Sequence, residues 1–261
     1  MITLQNDRAA KSTIDRDGAG PEPGASLLDC GAAKGARMSI VLYHHPFSRA
    51  ANVVWMLEEV GVPYELRFVD FQKGEQKSAE LVALNPMGKL PILSDDGMVV
   101  TESAAIALYL ADRYAYGRLS PRVDDPARGT YLRWSFFSPS VIEPCAMAKQ
   151  AGWTYREGQA GFGSLDAMLS SVEAAIGTGP YLLGDTFSMA DVVFGGTLGY
   201  MLMFKMIEPR PAFTAYADRV AARPAYLRAQ QRNEAIRIER GTERDTMIFI
   251  EKDIYIARVV D

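Results

Sequence analysis

The sequence has few of the residues that mark oxidising or metal-binding environments. Its two cysteines, Cys30 and Cys145, are far apart in the chain and form no CxxC or metal-ligand pattern. Neither a disulfide framework nor a thiol redox pair is predicted, and a reducing, cytoplasmic setting fits best. The two histidines, His44 and His45, are adjacent and have no acidic or cysteine companions nearby in the sequence, so no metal site is expected.

Long hydrophobic runs and an excess of positive charge are also absent. The longest uncharged apolar stretch, residues 192–204, is shorter than the roughly 18 residues that a membrane span needs. The formal net charge is -4, and Lys and Arg are spread thinly along the chain. The electrostatic basis for binding nucleic acid or an anionic membrane is therefore missing. We expect a small molecule as the partner, with no nucleic acid and no membrane.

The composition is that of a folded chain with atypical ends. The 261 residues are 48% hydrophobic and 23% charged, which suits one or two globular domains. Residues 1–37 are rich in glycine, alanine and charged residues, and they predict a disordered arm, with Met38 as the working start of translation. Residues 237–261 form an atypical tail with two strand-like stretches, 248–250 and 254–256.

Between residues 38 and 236 the pattern of apolar residues changes once, from mixed strand and helix periods to helix periods alone. Residues 38–116 predict the order β-α-β-α-β-β-α, which is the plan of a thioredoxin-like domain, with a hairpin of two brief strands at 90–93 and 98–101. Residues 123–236 predict only helices, at about 125–152, 164–176, 188–207, 211–222 and 225–236. The predicted fold class is α/β plus all-α: a thioredoxin-like N-terminal domain followed by an all-helical C-terminal domain. Ser188 and Asp191 have the spacing of a capping box, which indicates a role in folding.

A hydroxyl residue stands where the first strand passes to the first helix. The first amides of a helix point at whatever lies beside its start, so a helix start attracts anions. Ser48 occupies this place, and the protein has no thiol of its own there. Any reactive thiol must therefore arrive with a ligand. The alternative is that Ser48 is a plain N-cap, worth about 1 kcal/mol.

Two further motifs offer backbone and charge to a peptide-like ligand. Pro91 is predicted at the start of a strand, where it could be cis and expose the backbone of Leu90 to pair with an extended ligand. Glu102 and Ser103 place a carboxylate and a hydroxyl at another helix start, which suits an α-amino acid with both charges. The alternatives are an edge-strand proline in a tight turn and an ordinary helix cap.

The order of these motifs resembles the cytosolic glutathione S-transferases of the serine type. The resemblance rests on HHPFSRAANVVWMLEEVGVPYE, NPMGKLPIL and TESAAIALYLADRY, and on YLLGD, FSMAD and the residues up to about 235 in the helical half. It implies that Ser48 is the catalytic residue that hydrogen-bonds the glutathione sulfur, and Tyr43 is a rival hydroxyl on a buried run. It also implies seven glutathione-binding residues: Gln76, Lys77, Lys89, Leu90, Pro91, Glu102 and Ser103.

The implied activity is conjugation of the glutathione thiolate to small apolar electrophiles, as in detoxification, by a homodimer. Glutathione is then a co-substrate, and no cofactor or metal is expected. The predicted electrophile pocket consists of residues on the first long helix of the second domain: Trp134, Phe137, Val141 and Cys145. Packing between helices is the alternative for each of them. Other functions remain open: a glutathione-dependent isomerase, peroxidase or dehalogenase on the same site, or a non-catalytic glutathione-binding adaptor.

Overall fold

A four-stranded mixed sheet forms the first half of this computed structural model, which describes residues 40–177 and 179–242. The strand order is β2-β1-β3-β4, with β1 parallel to β2 and antiparallel to β3, and β3 antiparallel to β4. The strands are β1 (Ile40–His44), β2 (Tyr64–Phe68), β3 (Ile92–Asp95) and β4 (Met98–Thr101). Helix α1 (Ala50–Val60) connects β1 to β2, α2 (Ala79–Leu84) connects β2 to β3, and α3 (Ser103–Tyr114) follows β4. The thioredoxin-like prediction is confirmed.

The β3–β4 hairpin starts and turns later than the sequence predicted. The predicted strand 90–93 is β3 at Ile92–Asp95, and the connection is the two-residue turn Asp96-Gly97. Both turn residues have positive φ, 49° and 86°, which matches the right-handed twist of a hairpin. Asp95 is buried at the end of β3 because the hydroxyls of Tyr109 and Tyr114 donate to its Oδ2.

Helices make up the second half of the chain, as predicted. They are α4 (Ala127–Phe137), α5 (Glu143–Gln150), α6 (Leu165–Ile176), α7 (Met189–Met203), α8 (Pro211–Ala221) and α9 (Pro224–Arg240). The predicted single helix 125–152 is instead α4 and α5, joined by the π-helical segment Ser138–Ile142. Pro139 and Pro144 lie in this region, and each lacks the amide hydrogen that a regular helix would donate.

One hydrophobic core runs through both halves. It includes Leu42 of β1, Val54 of α1, Phe194 of α7 and Tyr216 of α8, all nearly inaccessible to solvent. Leu119, in the predicted linker, belongs to the same core. The boundary between domains 38–116 and 123–236 therefore stays a prediction. The predicted disordered arm and the two strand-like stretches of the tail lie outside the described residues.

Helices α1 and α7 approach closely at a glycine. The amide of Asn52 on α1 donates from Nδ2 to the Val192 carbonyl at 3.2 Å. A Cβ on Gly196 would lie 2.3 Å from Asn52 Oδ1 and 2.6 Å from its Nδ2. The Asn52 amide thus fills the space that a side chain at position 196 would need.

Replacing Gly196 with alanine should therefore destabilise the protein. We expect Gly196→Ala to displace the Asn52 amide and to lower the free energy of unfolding by about 1–3 kcal/mol. A Cβ on Gly199, in the same helix, would meet nothing within 4 Å. We expect Gly199→Ala to raise that free energy by about 0.5–1 kcal/mol, since alanine favours helix more than glycine does. Urea unfolding of both variants measures the difference, and equal effects would contradict this packing.

Candidate functional site

Strand register brings the three predicted motifs to one end of the sheet. Tyr43 of β1 pairs with Ile92 of β3, and Ile92 pairs with Thr101 of β4. Ser48 follows β1, Leu90 precedes β3, and Glu102 follows β4. Because β1 and β4 end where β3 begins, the three segments leave the sheet at the same edge.

The loop before β3 is organised by an asparagine that sequence reasoning missed. Asn85 is buried, donates from Nδ2 to the Lys89 carbonyl at 2.9 Å, and accepts the Met87 amide at 3.1 Å. The loop then enters β3 through a cis peptide bond between Leu90 and Pro91. An Asn-Pro dipeptide is typical of a turn. The two hydrogen bonds that Asn85 makes across the loop have no signature in the sequence.

Gln76 and Lys77 pack against the same loop. Lys77 donates from Nζ to the Met87 carbonyl at 2.9 Å. A Cβ on Gly88 would lie 2.7 Å from Lys77 Cδ and 3.0 Å from the Gln76 carbonyl, so glycine is required for this approach. The structure thus brings Gln76 and Lys77 beside the segment that contains Lys89 and Leu90.

Ser48 sits in the turn between β1 and α1, ahead of the helix rather than at its cap position. Arg49 is the N-cap residue of α1 and makes no side-chain cap bond. Ser48 Oγ accepts the Ala50 amide at 3.1 Å and donates to the His45 carbonyl at 2.8 Å. The N-cap alternative is therefore correct in part: the hydroxyl binds a first-turn amide from one residue earlier. It is half-buried and keeps one lone pair for a further donor.

The backbone at Glu102 is strained. Its φ is 67° and its ψ is 124°, a conformation that non-glycine residues rarely adopt. Glu102 is the N-cap residue of α3, yet its exposed side chain makes no cap hydrogen bond. The capping alternative is thus not supported, and a costly conformation at a helix start is a feature of ligand-binding sites.

The two histidines are buried beneath the Ser48 turn. The His45 ring stacks on Phe71, with ring centroids 4.2 Å apart, and its Nδ1 accepts the Phe47 amide at 3.2 Å. His44 Nε2 lies 2.7 Å from Asn233 Oδ1. Burial lowers the pKa of His44 to about 4, so the ring is neutral at pH 7. Within 40–177 and 179–242, no group of three or more His, Cys, Asp or Glu could hold a metal ion.

Tyr43, the rival hydroxyl, lies on the face of the sheet opposite the main core. It packs beside the small cluster of Val69, Leu81 and Ile92, and Arg67 donates to its hydroxyl at 3.4 Å. The core alternative therefore fits Tyr43 better than a catalytic role.

The predicted electrophile residues divide into two groups. Trp134 is 5% exposed and Cys145 is fully buried, and both belong to the main core. Burial also raises the pKa of the Cys145 thiol. These two residues are therefore core residues, and the helix-packing alternative holds for them. Phe137 and Val141 are half-buried and remain available to contact a ligand.

The start of α5 reaches the Ser48 turn through an ion pair that the sequence did not indicate. Arg49, next to Ser48, donates from Nε to Glu143 Oε2 at 2.7 Å. The two residues are 94 positions apart, so no local pattern could have found the pair. Val141 lies two residues before Glu143, which places the π-helical segment beside the turn.

The fold and this site define a class: a thioredoxin-like domain in which the start of α1, the backbone before β3 and the start of α3 lie at one edge of the sheet, followed by a helical domain. A family model described as "Glutathione S-transferase, N-terminal domain" matches residues 38–112, and one described as "Glutathione S-transferase, C-terminal domain" matches residues 155–223. The chain is 32% identical over 207 residues to glutathione S-transferase 2 of Schizosaccharomyces pombe, covering 67% of this chain and 86% of the relative. The chain belongs to the glutathione S-transferase family, and the curated relatives that it matches are named glutathione S-transferases, which are enzymes.

Other relatives agree with this assignment. Human glutathione S-transferase theta-2 is 29% identical over 199 residues, covering 71% of this chain and 82% of the relative. A glutathione transferase from Methylococcus capsulatus is similar in structure, with a TM-score of 0.63 and 30% identity over 75% of this chain and 99% of that one. Another from Phanerochaete chrysosporium, URE2P6, was solved with oxidized glutathione; its TM-score is 0.65 and its identity 25%, over 77% and 98% of the two chains. Among the helices of the described residues, none is long and apolar enough to cross a membrane.

Proposed function

We propose that this protein is a serine-type glutathione transferase that adds the glutathione thiolate to small apolar electrophiles. The observation that carries the proposal is the Ser48 hydroxyl, which lies in the turn at the start of α1 and is polarised by the Ala50 amide. The reactive group is the thiol of the co-substrate, and the protein supplies the groups that ionise and orient it.

The Ser48 hydroxyl can turn toward a sulfur without leaving a carbonyl unpaired. Its single hydrogen now points to the His45 carbonyl, which also accepts the Ser48 amide at 3.0 Å. When the hydroxyl rotates to a thiolate, the His45 carbonyl keeps the amide bond. The Ala50 amide continues to donate to Oγ, which makes the hydroxyl a better donor.

The energies show why a hydroxyl is needed. A free thiol has a pKa near 8.5, so only a few per cent is ionised at pH 7. Lowering that pKa by about 2 units takes roughly 2.7 kcal/mol. A helix start gives about 0.3–1 kcal/mol, and a hydrogen bond to a charged acceptor gives roughly 1.5–3 kcal/mol. The helix start alone falls short of this free energy, the hydrogen bond reaches it only at the top of its range, and the sum of the two, about 2–4 kcal/mol, spans it.

The remaining candidates match the two charged ends of the tripeptide. Glu102 and Ser103 at the start of α3 would hold the γ-glutamyl ammonium and carboxylate. The Leu90 backbone would pair with the cysteinyl part as an added strand. The glycine carboxylate would meet the amide and ammonium groups of Gln76, Lys77 and Lys89.

The apolar electrophile would lie between the Ser48 turn and the π-helical segment. Phe137 and Val141 are half-buried apolar residues that could contact it, and the Arg49–Glu143 pair joins the turn to the start of α5. A homodimer and a cytoplasmic location stay part of the proposal. The strained backbone at Glu102 supports glutathione binding, which the adaptor alternative would share, so turnover is the property that separates the two.

Retention on immobilised glutathione, followed by a conjugation assay with an activated aryl halide, tests the proposal. We expect binding and turnover. Binding without turnover on aryl halides, alkyl halides or hydroperoxides would support the adaptor instead, and turnover confined to one of the last two would support a dehalogenase or a peroxidase.

Replacing Glu102 with glycine separates ligand binding from fold. We expect Glu102→Gly to leave the free energy of unfolding unchanged or higher by about 1 kcal/mol, because glycine has no Cβ and tolerates a positive φ with less strain. We also expect the KM for glutathione to rise about tenfold, because a charge-assisted contact is lost. Urea unfolding and steady-state kinetics measure the two effects. A clear loss of stability with an unchanged KM would show that Glu102 serves the fold.

A further inference from the structure

A buried amide on the last helix touches both ends of the turn that carries Ser48. Asn233 of α9 is 5% exposed. Its Oδ1 lies 2.7 Å from Nε2 of His44, the last residue of β1. Its Nδ2 donates to the carbonyl of Ala51, in the first turn of α1, at 3.3 Å. Ser48 lies between these two contacts in the chain.

The orientation of the amide fixes the proton on His44. Because Nδ2 donates to Ala51, Oδ1 is an acceptor and the Nε2 of His44 carries the hydrogen. The Nδ1 of this ring is buried and has no hydrogen-bond partner among the described residues. Replacing Asn233 would therefore leave the buried N–H of His44 unpaired, and the ring would have to move to find another acceptor.

The peptide that follows His44 sets the direction of the Ser48 hydroxyl. The His44 carbonyl accepts the Val69 amide at 2.9 Å, and the His45 carbonyl accepts both the amide and the hydroxyl of Ser48. A shift of the His44 ring is passed through this short segment to the carbonyl that holds the hydroxyl. Asn233 is therefore placed to determine where Oγ points.

Helix α9 is held rigidly enough to act as such a support. Arg228 donates to Glu58 of α1 at 2.7 Å, and Arg223, just before α9, makes two bonds to Glu59 of α1 at 2.6 and 2.9 Å. One turn after Asn233, Arg237 lies over the ring of Phe47, 5.4 Å from its centroid. Two successive turns of α9 thus contact the segment that carries Ser48.

We propose that Asn233 is a positioning residue for thiol activation, which acts on Ser48 by joining His44 at the end of β1 to Ala51 at the start of α1. This inference rests on the proposed function of Ser48. It assigns to the C-terminal helix a part in ionising the glutathione thiol.

The test is a double-mutant cycle in the full chain, with Asn233→Leu, Ser48→Ala and the two combined. The measurements are the pKa of the bound glutathione thiol, read from thiolate absorbance, and steady-state kinetics. We expect Asn233→Leu to raise that pKa by about 0.5–1 unit and to lower kcat/KM about three- to tenfold. The KM for the electrophile should not change. The double variant should be no worse than Ser48→Ala alone, because Asn233 acts through that hydroxyl.

A matched control lies two residues earlier on the same helix. Gln231 is exposed, and Gln231→Leu makes the corresponding change from amide to isobutyl group. We expect it to leave the thiol pKa and kcat/KM unchanged. If Asn233→Leu lowers only the melting temperature and leaves the thiol pKa at the wild-type value, the role is structural and the inference is overturned. Losses that multiply in the double variant would overturn it as well.

The outcomes also distinguish a failure of this inference from a failure of the proposed role of Ser48. If Ser48→Ala leaves the thiol pKa unchanged, the proposed role of Ser48 fails and the inference fails with it. If Ser48→Ala raises the pKa and Asn233→Leu does not, only the inference fails. Should Asn233→Leu not fold, His44→Phe with Asn233→Leu removes both polar partners and leaves no unpaired donor. That variant should show the same raised thiol pKa, and a wild-type value would overturn the inference.

Discussion

Ser48→Ala is expected to raise the pKa of the bound glutathione thiol by about 1–2 units. The lost hydrogen bond to the thiolate is worth roughly 1.5–3 kcal/mol, and one pKa unit corresponds to about 1.4 kcal/mol. At pH 6.5 the ionised fraction of the thiol should then fall at least fivefold, and kcat should fall with it. The substitution does not touch Leu90, Glu102 or Ser103, the residues proposed to bind glutathione, so glutathione binding should stay nearly intact.

The dependence of activity on pH shows whether the pKa of the bound thiol is higher in Ser48→Ala than in the wild type. The wild type should gain activity with pH and level off above the lowered pKa of the thiol, whereas Ser48→Ala should continue to gain activity up to about pH 8.5. Ser48→Thr retains a hydroxyl and is the matched control, expected to keep the lowered pKa. An unchanged thiol pKa in Ser48→Ala would contradict the role of Ser48, and a parallel loss in Ser48→Thr would mean that the substitutions disturb the turn instead.

The fold was predictable because each element has a local signal. An apolar run predicts β1, a partly alternating pattern predicts β2, and glycine and proline mark the end of α1. The spacing of Ser188 and Asp191 predicts a capping box that the structure contains. The errors have local causes too. The helix at 125–152 is interrupted because prolines remove amide hydrogens, and β3 extends to Asp95 because two tyrosines on α3 stabilise that carboxylate.

The meeting of the three predicted glutathione motifs at one edge of the sheet was also predictable, whereas the burial of the predicted electrophile residues was not. Ser48, Leu90 and Glu102 each follow or precede a strand, so topology alone carries them to one edge. Trp134 on α4 and Cys145 on α5 lie on helices whose sequences do not reveal which face packs inward, and both side chains are buried in the core.

Contacts between distant parts of the chain could not be predicted at all. Arg49 and Glu143 are 94 residues apart, and His44 and Asn233 are 189 apart. Each pair consists of polar residues that would be solvated in isolation. They become partners only because the tertiary fold brings the start of α5 to Arg49 and brings α9 to β1 and α1, and such packing has no signature in a short window of sequence.

The carboxylate of Asp191 is the most connected buried group in the helical half of the described chain. Its Oδ2 accepts the Ser188 amide at 2.8 Å and the Ser188 hydroxyl at 3.0 Å. Its Oδ1 accepts the Leu182 amide and the Tyr216 hydroxyl, each at 2.8 Å. The start of α7, the loop before it and α8 therefore depend on one side chain that is fully inaccessible to solvent.

Asp191→Ala should consequently lower the free energy of unfolding more than Gly196→Ala or Glu102→Gly does. It leaves several buried donors unpaired, and we expect the free energy of unfolding to fall by about 3–5 kcal/mol. For a domain of this size the melting temperature should fall by roughly 10 °C. Asp185→Ala removes an exposed carboxylate from the same loop and should change stability by less than about 0.5 kcal/mol. Because the network includes none of the glutathione contacts, folded Asp191→Ala should keep the wild-type KM for glutathione at low temperature. A stable but inactive variant would contradict a purely structural role for Asp191.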